Sequence, residues 1–192
     1  MALSRAQARP EQARPEQARR REQKRTPMTD VRFYHLTRTR LEDALPVMLG
    51  RTLERGGRAV VRLATPARLK ALDEWLWTFD DAAFIPHGSE GARHAADQPV
   101  WLTLGEDNPV GAGFLFVGEG AELAGFEAFE VCAVLFDGRV EEAVARARSQ
   151  WSAVKAAAEA DAGTGTEDGA SGANHALSYW QQNDRGGWVQ AQ

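Results

Sequence analysis

The sequence predicts an α/β fold of three layers, α/β/α, around a mostly parallel sheet of about five strands. Three observations carry this. Short β-branched and aromatic runs alternate with amphipathic stretches from residue 31 to about 157. Those runs are close to uniformly apolar, as strands of a parallel sheet covered on both faces are. Capping and stop signals separate them from the helical stretches.

"VRFYHL" (31–36) opens the pattern as a strand. "LEDALPVMLGRTLERGG" (41–57) follows with Leu41, Leu45, Leu49 and Leu53 at helical spacing, Pro46 near the first turn and two glycines as a stop. "AVVRLA" (59–64) is the second strand. Thr65 then caps a helix that has Pro66 at its first position and Leu69, Leu72 and Leu76 as its apolar stripe. "PVWLTL" (99–104), "GFLFVG" (113–118) and "FEVCAVLF" (129–136) supply three more strands. A last helix from about 140 to 157 carries Val140, Ala143, Val144, Ala147, Trp151 and Val154 on one face. The topology expected is Rossmann-like. Neither "HLTRTRLEDA" nor "LATPARLKAL", the first two strand-to-helix junctions, has the glycines of a phosphate-binding loop.

This α/β domain is expected to span 29–157. Residues 1–28 repeat "QARPE" and contain few core-forming residues, which reads as a disordered basic tail. Residues 158–174, rich in Gly, Ala and acids, read as a flexible insertion. Residues 175–192 are expected to pack back on the domain.

The charge is unevenly distributed. The tail carries +5, and the net charge of −4 leaves −9 on the rest. An acidic body excludes a general DNA-binding surface, which sets Lys and Arg against phosphates. Any anionic partner has to meet a local basic patch. Cys132 is the only cysteine, so no internal disulfide forms, and the usage fits a reducing cytosol. No apolar run approaches the roughly 20 residues of a membrane helix, and the N-terminus lacks a signal-peptide core. The expected location is cytoplasmic, with no membrane partner.

Catalytic chemistry is hard to find. His35, His87, His94 and His175 show no metal-ligand spacing, and no metal or cofactor is expected. Cys132 alternates within an apolar strand and reads as a small buried hydrophobe. Asp80 and Asp81 are neighbours without a nucleophile, and Asp107 in "GEDNP" reads as a turn former. The stretch "LWTFDDAAFIPHG" (76–88) stands out: a loop-like segment crowded with Trp77, Phe79, Phe84 and Ile85. Two readings remain open for Trp77 and Phe84, a docking patch or closure of the core edge. On the last helix, Arg148, Trp151 and Lys155 fall at i, i+3 and i+7, along one flank. A guanidinium, an aromatic face and an ammonium suit an acidic peptide ending in a hydrophobic side chain and a free carboxylate. A merely solvated basic flank is the other reading.

"FYHL" (33–36), "LDEWLWTFDDAAFIPHG" (72–88), "QPVWLT" (98–103) and "ARARSQW" (145–151) together resemble the chi subunit of bacterial DNA polymerase III. The ending "HALSYWQQNDRGGW" (175–188) is similar to the form in alphaproteobacterial members. The most specific piece is L-W-x6-F-x-P-H, here Leu76, Trp77, Phe84, Pro86 and His87. The resemblance implies a non-catalytic subunit that links the clamp loader to single-stranded DNA-binding protein during replication, and so meets DNA only indirectly. It places the contact with psi, or another clamp-loader component, at Trp77 and Phe84, with Pro86 and His87 in the same motif. It places the tail of single-stranded DNA-binding protein on Arg148 and Trp151, with Phe136 and Arg146 as walls. A further basic position of the family falls on Ser152, so that contact is either missing or moved to Lys155. The competing function is a small nucleotide- or sugar-phosphate-handling enzyme on a doubly wound sheet, which the fold class alone permits. A third is a nucleic-acid-binding module built on the basic tail.

Overall fold

The computed structural model describes residues 29–163 and 175–191, the side chains of 161–163 excepted. The tail and most of the expected insertion lie outside these residues. Among the described residues, eight strands form one sheet: β1 (Asp30–Leu36), β2 (Ala59–Arg62), β3 (His87–Ser89), β4 (Val100–Thr103), β5 (Phe114–Val117), β6 (Val131–Asp137), β7 (Ala176–Gln182) and β8 (Trp188–Ala191). The order across the sheet is β3-β4-β2-β5-β6-β1-β7-β8. All neighbours are parallel except the β7–β8 hairpin. The α/β class and mostly parallel sheet hold. The order is not the doubly wound 3-2-1-4-5-6, because β1 lies between β6 and β7.

The five strands read from the sequence are all present, and three more extend the sheet. β3 is only three residues long and contains Gly88. β7 is mostly half-buried and β8 mostly exposed, and with Ser178, Gln181, Gln182 and Gln190 they lack the uniform apolar run that marked the central strands. Their hairpin closes with the Asn183 N–H donating to the Gly187 carbonyl at 2.8 Å and Gly186 at φ 76°. Gln182 ties it down. Its side-chain oxygen accepts from the backbone N–H groups of Thr37, Arg38 and Thr39 at 3.1, 2.9 and 3.2 Å.

Helix α1 (Leu41–Glu54) follows β1, and the Asp43 carboxylate accepts from the Arg40 N–H at its start. Pro46 lies inside it and removes the N–H that would bond the Glu42 carbonyl. The Trp75 indole takes that place, donating to the Glu42 oxygen at 2.9 Å. A proline defect in one helix thus becomes a clasp to helix α2 (Pro66–Leu76). The Thr65 hydroxyl caps α2 by accepting from the Arg68 N–H at 3.2 Å. Gly56 takes the left-handed conformation (φ 74°) that ends α1.

Helix α3 (Glu141–Gly163) runs six residues beyond its expected end. Ala156, Ala157, Ala158 and Ala160 are the strongest helix formers and carry it on. Two cores result. α1 and α2 pack on the face built by Tyr34, Leu36, Val61, Leu102, Phe116 and Leu135. On the other face α3 covers Val31, Phe33, Val134 and Phe136. The segments after β4 and β5, rather than a helix, cover the remainder with Val110, Ala112, Ala121, Phe126 and Phe129. Arg62, 2% exposed, stitches them in place: its guanidinium donates to the Gly105 carbonyl at 2.8 Å and to the Glu122 carbonyl at 3.1 Å.

Candidate functional site

The loop after α2 divides its apolar residues between inside and outside. Ile85 is 3% exposed and fills the core beside Leu72 and Leu76, and Phe79 packs against the same cluster. Trp77 and Phe84 are 58% and 63% exposed. α2 ends at Leu76, so Trp77 is the capping residue and leaves the helix stripe. Its ring lies 5.6 Å from Phe84 and 5.0 Å from His87, centroid to centroid. His87 is not on the surface. Its side chain is buried beneath Trp77, with Nδ1 2.7 Å from the Ile85 carbonyl and Nε2 3.4 Å from Asp73. The motif L-W-x6-F-x-P-H therefore builds a pedestal: Leu76, Ile85 and His87 inward, Pro86 at the boundary, Trp77 and Phe84 outward.

On the opposite face of the sheet, α3 presents Arg148 and Lys155 to solvent on one flank. Trp151 is half-buried between Phe33 at 5.3 Å and Tyr179 at 6.0 Å, edge-on to both. Phe136 is 4% exposed and stacks on His35 at 5.0 Å, so it is the floor of the cluster rather than a free wall. The Tyr179 hydroxyl and His35 Nδ1 share a hydrogen bond at 2.8 Å. The far edge of the imidazole abuts Gly138, where any side chain would collide with it. Burial holds the His35 pKa below the usual histidine value; the Asp137 carboxylate opposes this and the Arg148 charge adds to it. Burial likewise pushes the Tyr179 hydroxyl up, with Arg148 opposing.

Arg148 has no carboxylate within 4 Å among the described residues. Lys155 is less free, with Glu159 at 3.9 Å one turn on. Arg146 is not brought to this cluster. Two residues turn a helix by about 200°, which carries it to the other flank. There it lines a separate cavity of about 340 Å³ with Glu122, Glu127 and Phe126. His35 and Tyr179 join the cluster without having been singled out from the sequence. Their meeting depends on β1 pairing with β7 across 144 residues of chain, which no local pattern reveals.

The groups weighed for reaction chemistry have other occupations. Cys132 is buried and its thiol is pushed up to about 12 by desolvation, the opposite of nucleophile activation. Asp107 accepts from the Trp101 indole at 2.6 Å and from the Thr103 hydroxyl, so it fastens the loop after β4. The Asp80 carboxylate accepts from the Ala82 N–H at 2.8 Å. No helix among the described residues is long and apolar enough to cross a membrane.

No curated protein matches the chain closely enough to be counted as a relative. The family model of the DNA polymerase III chi subunit, HolC, matches residues 28–160. That span takes in the Trp77 pedestal, Arg148, Trp151 and every strand except the C-terminal hairpin. The chain belongs to the DNA polymerase III chi subunit family, and its place is in DNA replication.

Proposed function

We propose that this protein is a non-catalytic linker within the polymerase III assembly, holding a clamp-loader component on one side and single-stranded DNA-binding protein on the other. One observation supports the reading: an exposed aromatic pair and an exposed arginine beside a half-buried tryptophan lie on opposite faces of the sheet. Trp77 and Phe84 stand beyond α2 on one face, and Arg148 and Trp151 lie on α3 on the other. Neither cluster blocks the other.

The Trp77–Phe84 pair suits the psi subunit or another clamp-loader component, because exposed aromatic anchors concentrate interface energy. The α3 flank suits the C-terminal tail of single-stranded DNA-binding protein. Arg148 offers a guanidinium with no carboxylate partner among the described residues, and the edge of Trp151 offers apolar surface for a terminal side chain. DNA is then reached through that protein. The crossed pattern of two variants tests the whole. Trp77→Ala with Phe84→Ala is expected to release the clamp-loader side and keep the tail peptide. Arg148→Ala is expected to do the reverse. Loss of both partners in one folded variant would refute the two-surface reading.

A further inference from the structure

We propose that a groove between α1 and the β7–β8 hairpin is a direct binding site for single-stranded nucleic acid. It lies on the face of α1 and α2, toward the end of the sheet away from Trp77, and encloses about 250 Å³. Tyr34, Trp180 and Trp188 give it aromatic surface, and Arg32, Arg51 and Arg55 give it charge. Trp180 lies near-parallel to Tyr34 at 6.3 Å and Trp188 stands edge-on to it at 4.9 Å. Both indoles are only half-buried, since no helix among the described residues covers the sheet beyond β1 on this face.

Two of the three cations are available. Arg32 is fixed by Asp30, its Nε donating at 2.9 Å. Arg51 and Arg55 are exposed, one helical turn apart, and have no carboxylate within 4 Å among the described residues. In a chain whose body is acidic, Arg51 and Arg55 beside the rings of Tyr34, Trp180 and Trp188 form a local exception, while Asp30 matches the charge of Arg32. Guanidinium groups tracking a backbone and aromatic faces for bases are what sequence-tolerant single-strand sites combine.

Charge beyond the groove favours nucleic acid over a short acidic peptide. Residues 1–28 carry +5 and join at Thr29, next to Asp30. Asp30 is the register partner of Val131, which lines the groove. The +5 of residues 1–28 adds to the attraction for a long polyanion more than for a short peptide confined to the groove. This contact is additional to the proposed linkage through single-stranded DNA-binding protein, and it uses none of the residues assigned there.

The test is an anisotropy titration of the purified full chain with a labelled oligothymidylate of about 16 nucleotides, the upper end for a one-domain single-strand site. Tryptophan fluorescence is read in parallel, at low and moderate salt. The expected result is binding with quenching. Arg51→Ala with Arg55→Ala should weaken it about tenfold and reduce the salt slope by about 1.4, roughly 0.7 per lost phosphate contact. Trp188→Ala should weaken it by about fivefold or more, as loss of a stacking face does, and Trp188→Phe should restore most of it. Absence of binding at low salt would overturn the proposal. So would binding that ignores the two arginine substitutions but vanishes when Arg19, Arg20 and Arg21 are changed to Gln, since the tail alone would then be the site. Saturable quenching by an acidic aromatic peptide with none by oligothymidylate would assign the groove to a peptide instead.

Discussion

Around Trp77 the rings stand outside the core and a buried imidazole supports them from beneath. Around Arg148 the order is reversed: a charged group stands outside, and the rings of Trp151, Tyr179 and Phe136 are withdrawn beneath it. The first arrangement offers apolar area and is indifferent to salt. The second offers a directional charge over an aromatic floor and is screened within about 8–10 Å at physiological ionic strength. The two surfaces differ in the kind of attraction they offer.

Within the Trp77 loop the same contrast can be broken residue by residue. Ile85→Ala empties a buried site and is expected to cost about 2–5 kcal/mol of stability. Trp77→Ala, a few residues away, should cost within about 0.5 kcal/mol plus whatever its contact with His87 supplies. Chemical denaturation of both variants checks this, and equal losses would mean that Trp77 closes the core after all.

Next in size is binding. The double change Trp77→Ala with Phe84→Ala should weaken clamp-loader attachment by ~2 kcal/mol or more, about thirtyfold. Arg148→Ala should weaken the tail peptide about tenfold, in line with roughly 1.5–3 kcal/mol for a charge-assisted contact. Arg148→Lys should recover only part, because an ammonium lacks the fork. Raising salt should weaken the peptide and leave the Trp77 contact nearly unchanged. A salt response of equal size at both surfaces would remove the distinction between them.

The smallest effect concerns pH. The folded-state pKa of His35 lies below its unfolded value of about 6.5. The neutral ring therefore contributes stability that is full above that value and is lost as pH falls through the lowered folded-state pKa. His35→Gln should flatten the stability profile between about pH 6.5 and the acid limb. A profile identical to that of the native chain would show that the ring titrates without linkage to folding.

Central strands, helix caps and the α3 stripe were legible in the sequence because each is set by a local period or a single capping side chain. Thr65 before Pro66 and Gly56 after α1 are of this kind. The β7–β8 hairpin was not legible, since β7 is mostly half-buried, β8 is mostly exposed, and the buried polar Gln182 finds its partners at Thr37–Thr39, at the other end of the chain. Of the proposed surfaces, the Trp77 motif and the flank of Arg148, Trp151 and Lys155 could be read along the chain. The inward turn of His87 and the arrival of His35 and Tyr179 beside Arg148 could not, because strand register places them. The separation of Arg146 from Arg148 follows from helix geometry alone and was open to reading beforehand.

The central claim is that the two surfaces act independently, and one titration tests it most directly. A labelled tail peptide of single-stranded DNA-binding protein is added to the free chain and to the chain saturated with its clamp-loader partner. Because the clusters lie on opposite faces of the sheet, the two affinities should agree within about twofold, under ~0.5 kcal/mol of coupling. Displacement of one partner by the other, or a tenfold difference in affinity, would contradict the account.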